Sequence, residues 1–214
     1  MFLIPAKTPW IIKKIFSSYT WAVKTDKKNI YLTFDDGPTP EITTWTLKQL
    51  KAYNAKATFF CIGNNIEKYP DVFNSILSDG HAIGNHTYNH VQGWKLGVND
   101  YVSEVVKTQK AIDKTALKSS KTKLFRPPFG KIKNRQGKAL RALGYQIIMW
   151  DVLSFDWQVK TTPKAVLKYV TYKTKNGSIV VFHDSVKASK NMQYVLPKFL
   201  EHFTKKGYTF RALS

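Results

Sequence analysis

Short apolar runs alternate along the chain with longer stretches in which apolar residues recur at helical spacing. The short runs are rich in β-branched and aromatic residues, which is typical of strands, whereas the periodic stretches predict amphipathic helices. The predicted strands are Ile30–Phe34, Ala57–Ile62, Ala82–Asn85, Leu124–Phe125, Tyr145–Trp150, Ser178–Phe182 and Tyr208–Arg211. The predicted helices are Glu41–Tyr53, Asp71–Ser78, Asp100–Lys118, Arg135–Leu143, Pro163–Thr174 and Met192–Thr204.

This alternation of strands and helices predicts a mostly parallel sheet of the α/β class. About seven strands in 214 residues are fewer than the eight of the usual barrel, so we expect a distorted, reduced (β/α) barrel. No linker, repeat or composition break divides the sequence. We therefore expect one domain over residues 1–214, with residues 1–28 as an N-terminal extension that packs on it.

Polar residues with catalytic chemistry follow the predicted strands, where parallel α/β folds place their active sites. Asp35 and Asp36 end the first strand, and His86 and His90 follow the third. On one helical turn, the four-residue spacing puts both imidazoles on one face, and Asp36 completes a His-His-Asp set with an open position for water. We expect one divalent metal there, with zinc as the default and cobalt, nickel, manganese or iron as alternatives. Asp-Asp-Gly-Pro is also a good turn sequence without a metal.

The remaining strand ends carry groups suited to moving protons. A metal lowers the pKa of its bound water towards ~7, and Asp35 is placed to act as general base on that water. Arg126, after the fourth strand, can orient Asp35 through its guanidinium fork, or it forms a surface ion pair. His183, after the sixth strand, can protonate a leaving nitrogen, with Asp156 fixing its tautomer; the alternative is a hydrogen-bonded core histidine.

Other residues near these groups can contact a substrate. The loop Arg126–Gly130 contains two prolines, and the backbone N–H of Phe129 on it can face a developing oxyanion. Asp151 and Trp157 follow the fifth strand together with Asp156. Trp157 and Trp150 either wall an apolar slot for an acyl methyl group or belong to the core.

The composition limits the partners. The 34 Lys and Arg residues against 14 Asp and Glu give a net charge of +20. This charge makes a soluble lysine-rich surface, or it attracts an anionic cell-envelope polymer or membrane surface. The basic residues are dispersed and no nucleic-acid-binding signature accompanies them, so we expect no specific nucleic acid partner. No obligate protein partner is inferred, and the single Cys61 excludes an intrachain disulfide.

The N-terminal residues 1–23 are mildly apolar, but prolines and lysines interrupt them and no clear signal peptide follows. No stretch reaches the length of a transmembrane helix. The segment Trp10–Phe16 either touches a membrane as an amphipathic element or packs over the domain. A cytoplasmic and a membrane-peripheral location both remain open on this basis.

Five sequence blocks occur in an order that resembles the polysaccharide deacetylases with a NodB-homology domain, carbohydrate esterase family 4. The resemblance covers about Ile30 to His183. The blocks are Thr33–Pro38, His86–His90, Arg126–Gly130, Asp156–Trp157 and Val181–His183. Each block alone is weak, whereas five in one order are highly specific.

The resemblance implies a metal-dependent hydrolase that removes N-acetyl groups from GlcNAc-containing glycans, of chitooligosaccharide or peptidoglycan type, and releases acetate. The implied roles are base for Asp35, metal ligands for Asp36, His86 and His90, orientation of the base for Arg126, acid for His183, and partner of the acid for Asp156. Phe129 stands where the family usually has Tyr, and Val181 where it has Leu, which widens the expected acetyl pocket. Many relatives work outside the cytoplasm, which adds an extracytoplasmic location. Two alternatives remain: a catalytically silent glycan- or polyanion-binding module, and a deacylase of a small non-glycan amide.

Overall fold

The computed structural model describes residues 7–116 and 123–214. Its strands are β1 (Asn29–Asp35), β2 (Thr58–Cys61), β3 (Ala82–Asn85), β4 (Leu124–Phe125), β5 (Gln146–Ile147), β6 (Val152–Leu153), β7 (Ile179–His183) and β8 (Thr209–Arg211). Its helices are α1 (Trp10–Ile15), α2 (Ile42–Ala52), α3 (Gly63–Lys68), α4 (Pro70–Ser78), α5 (Val98–Thr115), α6 (Asn134–Ala142), α7 (Pro163–Lys173) and α8 (Ser189–Lys205). All seven predicted strands and all six predicted helices are present; β3 and β4 have the predicted bounds, and the other elements have shifted ends.

The sheet is parallel and strongly curled. Seven strands lie side by side in the order β5-β4-β3-β2-β1-β7-β6, and β8 pairs with β1 outside this path. The strands at the two ends of the path, β5 and β6, are separated in the chain by only four residues. Such a connection spans at most ~19 Å, so the two edges of the sheet must come close together. The prediction of a reduced α/β barrel is confirmed.

Three short elements were absent from the sequence-based prediction: the helices α1 and α3 and the strand β6. The strand β6 has two residues, too few for any periodicity, so the predicted strand Tyr145–Trp150 was followed directly by a loop. The helix α3 buries only Gly63 and Ile66, and so it lacks an apolar stripe that a pattern could reveal. The predicted end of the α5 helix at Lys118 lies outside the described residues.

Side chains of β1 alternate between the helix layer and the barrel interior. Ile30, Leu32 and Phe34 are fully buried in the large core formed with the surrounding helices. The intervening positions face the other side of the sheet, because neighbouring strand residues point in opposite directions. Thr33 and Asp35 therefore reach the interior, where Asp35 stands at the C-terminal end of the strand.

The N-terminal segment contacts both free edges of the curled sheet. Thr20 forms a bridge with Ile148 beside β5, and Lys7 forms one with Val152 of β6. The Thr20 N–H donates to Ile147 O, and the Met149 N–H donates to Thr20 O. The segment thus pairs with edges that the barrel leaves without a neighbouring strand. The assignment of residues 1–28 as an extension of a single domain stays a prediction.

Asp151 anchors this N-terminal segment. The sequence places it after the same predicted strand as Asp156 and Trp157, but the structure does not bring it to the cavity that they reach. Its buried carboxylate accepts from Lys7 Nζ at 3.0 Å and from Lys13 Nζ, and also from Ser178 Oγ at 2.6 Å. Hydrogen bonds from these partners outweigh burial and lower its pKa. Asp151 lies at the start of β6, so it points away from the strand ends that carry Asp156.

The helix α1 covers most of the Trp10–Phe16 segment, for which the sequence analysis offers two placements. Trp10, Ile11 and Ile15 are exposed, and no residue of the helix is fully buried. Among the helices of residues 7–116 and 123–214, none combines the length and apolar character needed to cross a bilayer.

Candidate active site

A cavity of about 410 Å³ opens at the C-terminal ends of the strands. Its lining includes Asp35, Asp36, His86, His90, Phe129, Trp157 and His183. Arg126 and Asp156 are buried directly behind this lining. The structure therefore brings together nine of the ten residues that the sequence nominates, the exception being Val181.

Arg126 fixes the orientation of Asp35. Its Nη1 donates to Asp35 Oδ1 at 2.6 Å and to Thr33 Oγ1 at 2.8 Å. Its Nη2 and Nε donate to the carbonyl oxygens of Met149 and Ile148 at 3.0 and 3.3 Å. The side chain has no exposed surface, so the alternative of a surface ion pair is wrong.

Several contacts offset the cost of burying the Arg126 guanidinium. The guanidinium lies 4.1 Å from the ring centroid of Phe60, which adds a cation–π contact. Burial lowers the pKa of Arg126, while the charge and hydrogen bond of Asp35 oppose that change. Because arginine starts from a very high pKa, the side chain stays charged and forms an ion pair with Asp35 at 2.6 Å.

Three side chains form a set that can hold a metal ion. Asp36, His86 and His90 each offer one ligand atom, and these three atoms lie within 4.8 Å of one another. Asp36 Oδ1 is 3.7 Å from His86 Nε2 and 3.2 Å from His90 Nε2. Tetrahedral zinc with ligands at ~2.0 Å requires ligand–ligand separations of ~3.3 Å, so this donor set fits such an ion.

The protonation states of this set also suit metal binding. Burial lowers the pKa of His86 to about 4, so its ring is neutral at pH 7. His86 Nδ1 lies 2.8 Å from Arg126 O, and a carbonyl can only accept, so Nδ1 carries the proton and Nε2 keeps its lone pair. Burial opposes ionisation of Asp36, but the hydrogen bond from His90 and the nearby histidines hold its pKa well below the usual range.

The two histidines converge through a loop, which corrects the expectation of a helical turn. Residues 86–90 follow β3 without helical structure. Thr87 and His90 have φ values of 61° and 53°, left-handed conformations that turn the chain back on itself. The ring centroids of His86 and His90 end 5.1 Å apart. The four-residue spacing of His86 and His90 thus brings their rings together as predicted, but through a loop and not through a helical turn.

His183 and Asp156 form a hydrogen-bonded pair on the other side of the cavity. Asp156 Oδ1 accepts from His183 Nδ1 and Asp156 Oδ2 accepts from the His183 backbone N–H, both at 2.8 Å. Burial lowers the pKa of His183, but Asp156 outweighs it and raises the pKa to about 9. His183 is therefore protonated at neutral pH and can donate a proton from Nε2.

Apolar side chains form the wall next to His183. The Trp157 ring lies 4.6 Å from the His183 ring, edge to face, and Trp150 and Leu153 also line the cavity. Val181 is fully buried and packs in one cluster with Leu153. The sequence analysis expects a substrate contact from Val181, but Leu153 lines the cavity at this wall instead.

Asp184 is a further buried residue that sequence reasoning missed. Its Oδ1 accepts from the Gly37 N–H at 3.1 Å, and its Oδ2 accepts from Thr43 Oγ1. A Cβ on Gly37 would lie 2.1 Å from Asp184 Oδ2, so only glycine fits beside the carboxylate. These contacts fix the turn that presents Asp36. In the sequence, the position of Asp184 directly after His183 was the only indication of its place near the site.

Comparisons with known proteins agree on one group. A sequence model described as polysaccharide deacetylase matches residues 22–148. Two Bacillus cereus proteins named peptidoglycan-N-acetylglucosamine deacetylase are 33% identical over 91% of this chain and 91% of their own length, and 34% identical over 78% and 60%. A crystal structure of the Bc1960 peptidoglycan N-acetylglucosamine deacetylase superposes with a TM-score of 0.87, at 31% identity over 96% of this chain and 95% of that one.

Proposed function

The chain belongs to the polysaccharide deacetylase family, and we propose that it is a metal-dependent N-deacetylase that hydrolyses acetamide groups of GlcNAc-containing glycans to an amine and acetate. The carrying observation is that the Asp35 carboxylate, the protonated His183 and the Asp36-His86-His90 set line one cavity. Amide hydrolysis requires a base for the attacking water, an acid for the departing nitrogen and stabilisation of the oxyanion between them.

We propose that Asp36, His86 and His90 hold one divalent ion, with zinc as the default for nitrogen and carboxylate ligands. When bound, the ion supplies Lewis acidity that makes a water easier to deprotonate and a carbonyl easier to attack. The His86–Arg126 contact contributes by fixing which ring nitrogen faces the ion.

Asp35 takes the proton of the attacking water in this proposal. Arg126 restricts the rotation of the carboxylate through the 2.6 Å hydrogen bond to Oδ1, so the second carboxylate oxygen is left to face the cavity. The Phe129 backbone N–H is proposed to donate to the developing oxyanion. Phe129 adopts a φ of 60° in a loop between Pro128 and Gly130, which fixes the direction of its peptide groups.

His183 completes the reaction by protonating the amine nitrogen as its bond to the acetyl carbon breaks. Asp156 stabilises the charged imidazolium and holds the ring with Nε2 towards the cavity. The apolar wall of Trp157, Trp150 and Leu153 is proposed to receive the acetyl methyl group, because burying a methyl group there removes it from water.

The proposal is tested by measuring acetate released from chitooligosaccharides and from peptidoglycan fragments. The protein is freed of metal with a chelator and then reloaded with zinc, cobalt, nickel, manganese or iron(II). We expect acetate only from reloaded protein. Absence of acetate with every metal and both glycans, despite metal binding at one equivalent, would instead support a catalytically silent module.

A further inference from the structure

Two lysines stand at the mouth of the cavity without a carboxylate partner. Lys131 lies on the loop after β4, Lys187 lies on the loop after β7, and both line the cavity. Neither forms an ion pair within residues 7–116 and 123–214. The proposed hydrolysis gives neither of them a role.

The three carboxylates proposed to take part in the reaction need no lysine as a cationic partner. Asp35 is paired with Arg126 and Asp156 with His183. Asp36 would be balanced by the divalent ion that it helps to hold. The two lysine charges are therefore in excess, and they make the mouth electropositive before any substrate arrives.

The ammonium group of Lys131 is kept near the mouth by its surroundings. Its Nζ lies 5.4 Å from the ring centroid of Trp94 and 6.0 Å from that of Phe129. Its backbone N–H donates to Pro128 O and its carbonyl accepts from the Gly93 N–H, both at 3.1 Å. These contacts reduce the conformational entropy that Lys131 would lose on binding an anion.

The two lysines flank the reacting groups. In the sheet, β4 and β7 are separated by β3, β2 and β1, and β1 carries Asp35. A glycan that runs across these strand ends with one acetamide next to Asp35 would extend towards both flanking loops. Negative groups on the neighbouring sugars would then approach Lys131 on one side and Lys187 on the other.

We propose that Lys131 and Lys187 select a glycan in which sugars next to the GlcNAc bear carboxylates over a neutral, chitin-type glycan. This inference rests on the proposed function, because it assigns the substrate class of the same site. The lactyl ether of N-acetylmuramic acid, the sugar that alternates with GlcNAc in peptidoglycan strands, carries such a carboxylate wherever no stem peptide is attached to it.

The test compares two forms of one tetrasaccharide that alternates GlcNAc and N-acetylmuramic acid. One form has free carboxylates, and the other has them converted to neutral methylamides. The kcat/KM for acetate release is measured for metal-loaded wild type, Lys131→Gln, Lys187→Gln and the double variant. Lys110→Gln is the matched control, because Lys110 is exposed on α5 and lies outside the cavity lining.

We expect wild type to prefer the acidic form. Each single substitution should lower that preference about two- to fivefold, and the double substitution about tenfold, mainly through KM. Raising sodium chloride from about 50 to about 500 mM should weaken the preference of wild type but not of the double variant. Lys110→Gln should keep the wild-type preference.

An unchanged preference in the double variant, or an equal loss in Lys110→Gln, would overturn the selection by these lysines. Equal acetate release by wild type from the acidic and the neutral form would also overturn the selection by these lysines, but it would leave the proposed function intact. A metal-loaded wild type that releases no acetate from either form, nor from chitotetraose, would overturn the proposed function and this inference with it.

Discussion

Asp35 and His183 are register partners at the ends of the neighbouring parallel strands β1 and β7. Side chains in register on adjacent strands point to the same side of a sheet, so both residues face the cavity. Backbone hydrogen bonds of the sheet, including Asp184 N–H to Asp35 O at 3.1 Å, fix the distance between them. The proposed base and acid are thus positioned by hydrogen-bonded strands in the middle of the sheet.

Replacing Asp35 with asparagine tests the proposed base. We expect Asp35→Asn to lower kcat by ~10²–10⁴-fold, because the amide cannot accept the proton of the attacking water. The metal content, measured by elemental analysis after dialysis, should stay close to one equivalent, since Asp35 is not in the ligand set. Activity equal to wild type in a metal-loaded sample would refute this role.

Arg126→Met tests the coupling between the arginine and the base. Removing the guanidinium leaves Asp35 buried without its cation, which should lower the free energy of unfolding by about 3–5 kcal/mol. The double variant Arg126→Met with Asp35→Asn should recover part of that loss, because the uncompensated charge is gone. Chemical denaturation of the four proteins measures this cycle. Additive losses would show that the ion pair is energetically unimportant.

Asp36→Ala and His90→Ala test the ligand set. Each should lower metal affinity strongly and abolish acetate release, because two remaining ligands hold a divalent ion poorly. His202→Ala is the control: this histidine lies in the last turn of α8, away from the cavity. Isothermal titration with zinc measures the affinities. Wild-type affinity in both ligand variants would place the ion elsewhere.

The pH dependence of turnover should report the raised pKa of His183. Because that pKa is about 9, kcat should be constant near neutrality and fall above about pH 9 as the acid loses its proton. In Asp156→Asn the stabilising charge is removed while burial still lowers the pKa, so the falling limb should move to lower pH by about 2 units or more. If the falling limb of the kcat profile lies at the same pH in wild type and in Asp156→Asn, the titrating group is not His183.

Asp151→Ala tests the anchor of the N-terminal segment. The substitution leaves Lys7 and Lys13, each partly buried, without their shared carboxylate. We expect the free energy of unfolding to fall by about 2–4 kcal/mol, with little change in kcat since Asp151 does not line the cavity. Thermal unfolding and acetate release, measured side by side, check the two parts. A large loss of kcat at unchanged stability would contradict this separation.

Strand-exit motifs made most of the site predictable. Asp35 ends β1, Asp36 and His86 directly follow β1 and β3, and His90 lies on the loop after β3. The parallel sheet brings these strand ends together whatever the loops do between them. The local backbone was less predictable, because the positive φ values at Thr87 and His90 belong to residues that seldom adopt them. The roles of these residues stay predictions until the variants are measured.

Fully buried strands hide which way their side chains face. Every residue of Ile179–Phe182 is apolar and buried, so no alternation shows that Val181 packs beside Leu153 without lining the cavity. Arg126 was ambiguous for a different reason: two of its four hydrogen-bond acceptors are backbone carbonyls of Ile148 and Met149, which no side-chain pattern reveals. The two-residue β6 was too short for any pattern.

The pairing of the N-terminal segment with both sheet edges has a practical consequence for truncation. The family match begins at residue 22, whereas Lys7 and Thr20 already pair with β6 and with the residue after β5. A protein shortened to the matched boundary would expose unpaired backbone amides and carbonyls along both edges. Such edges invite strand addition from other molecules, so the shortened chain should aggregate even with its catalytic groups intact.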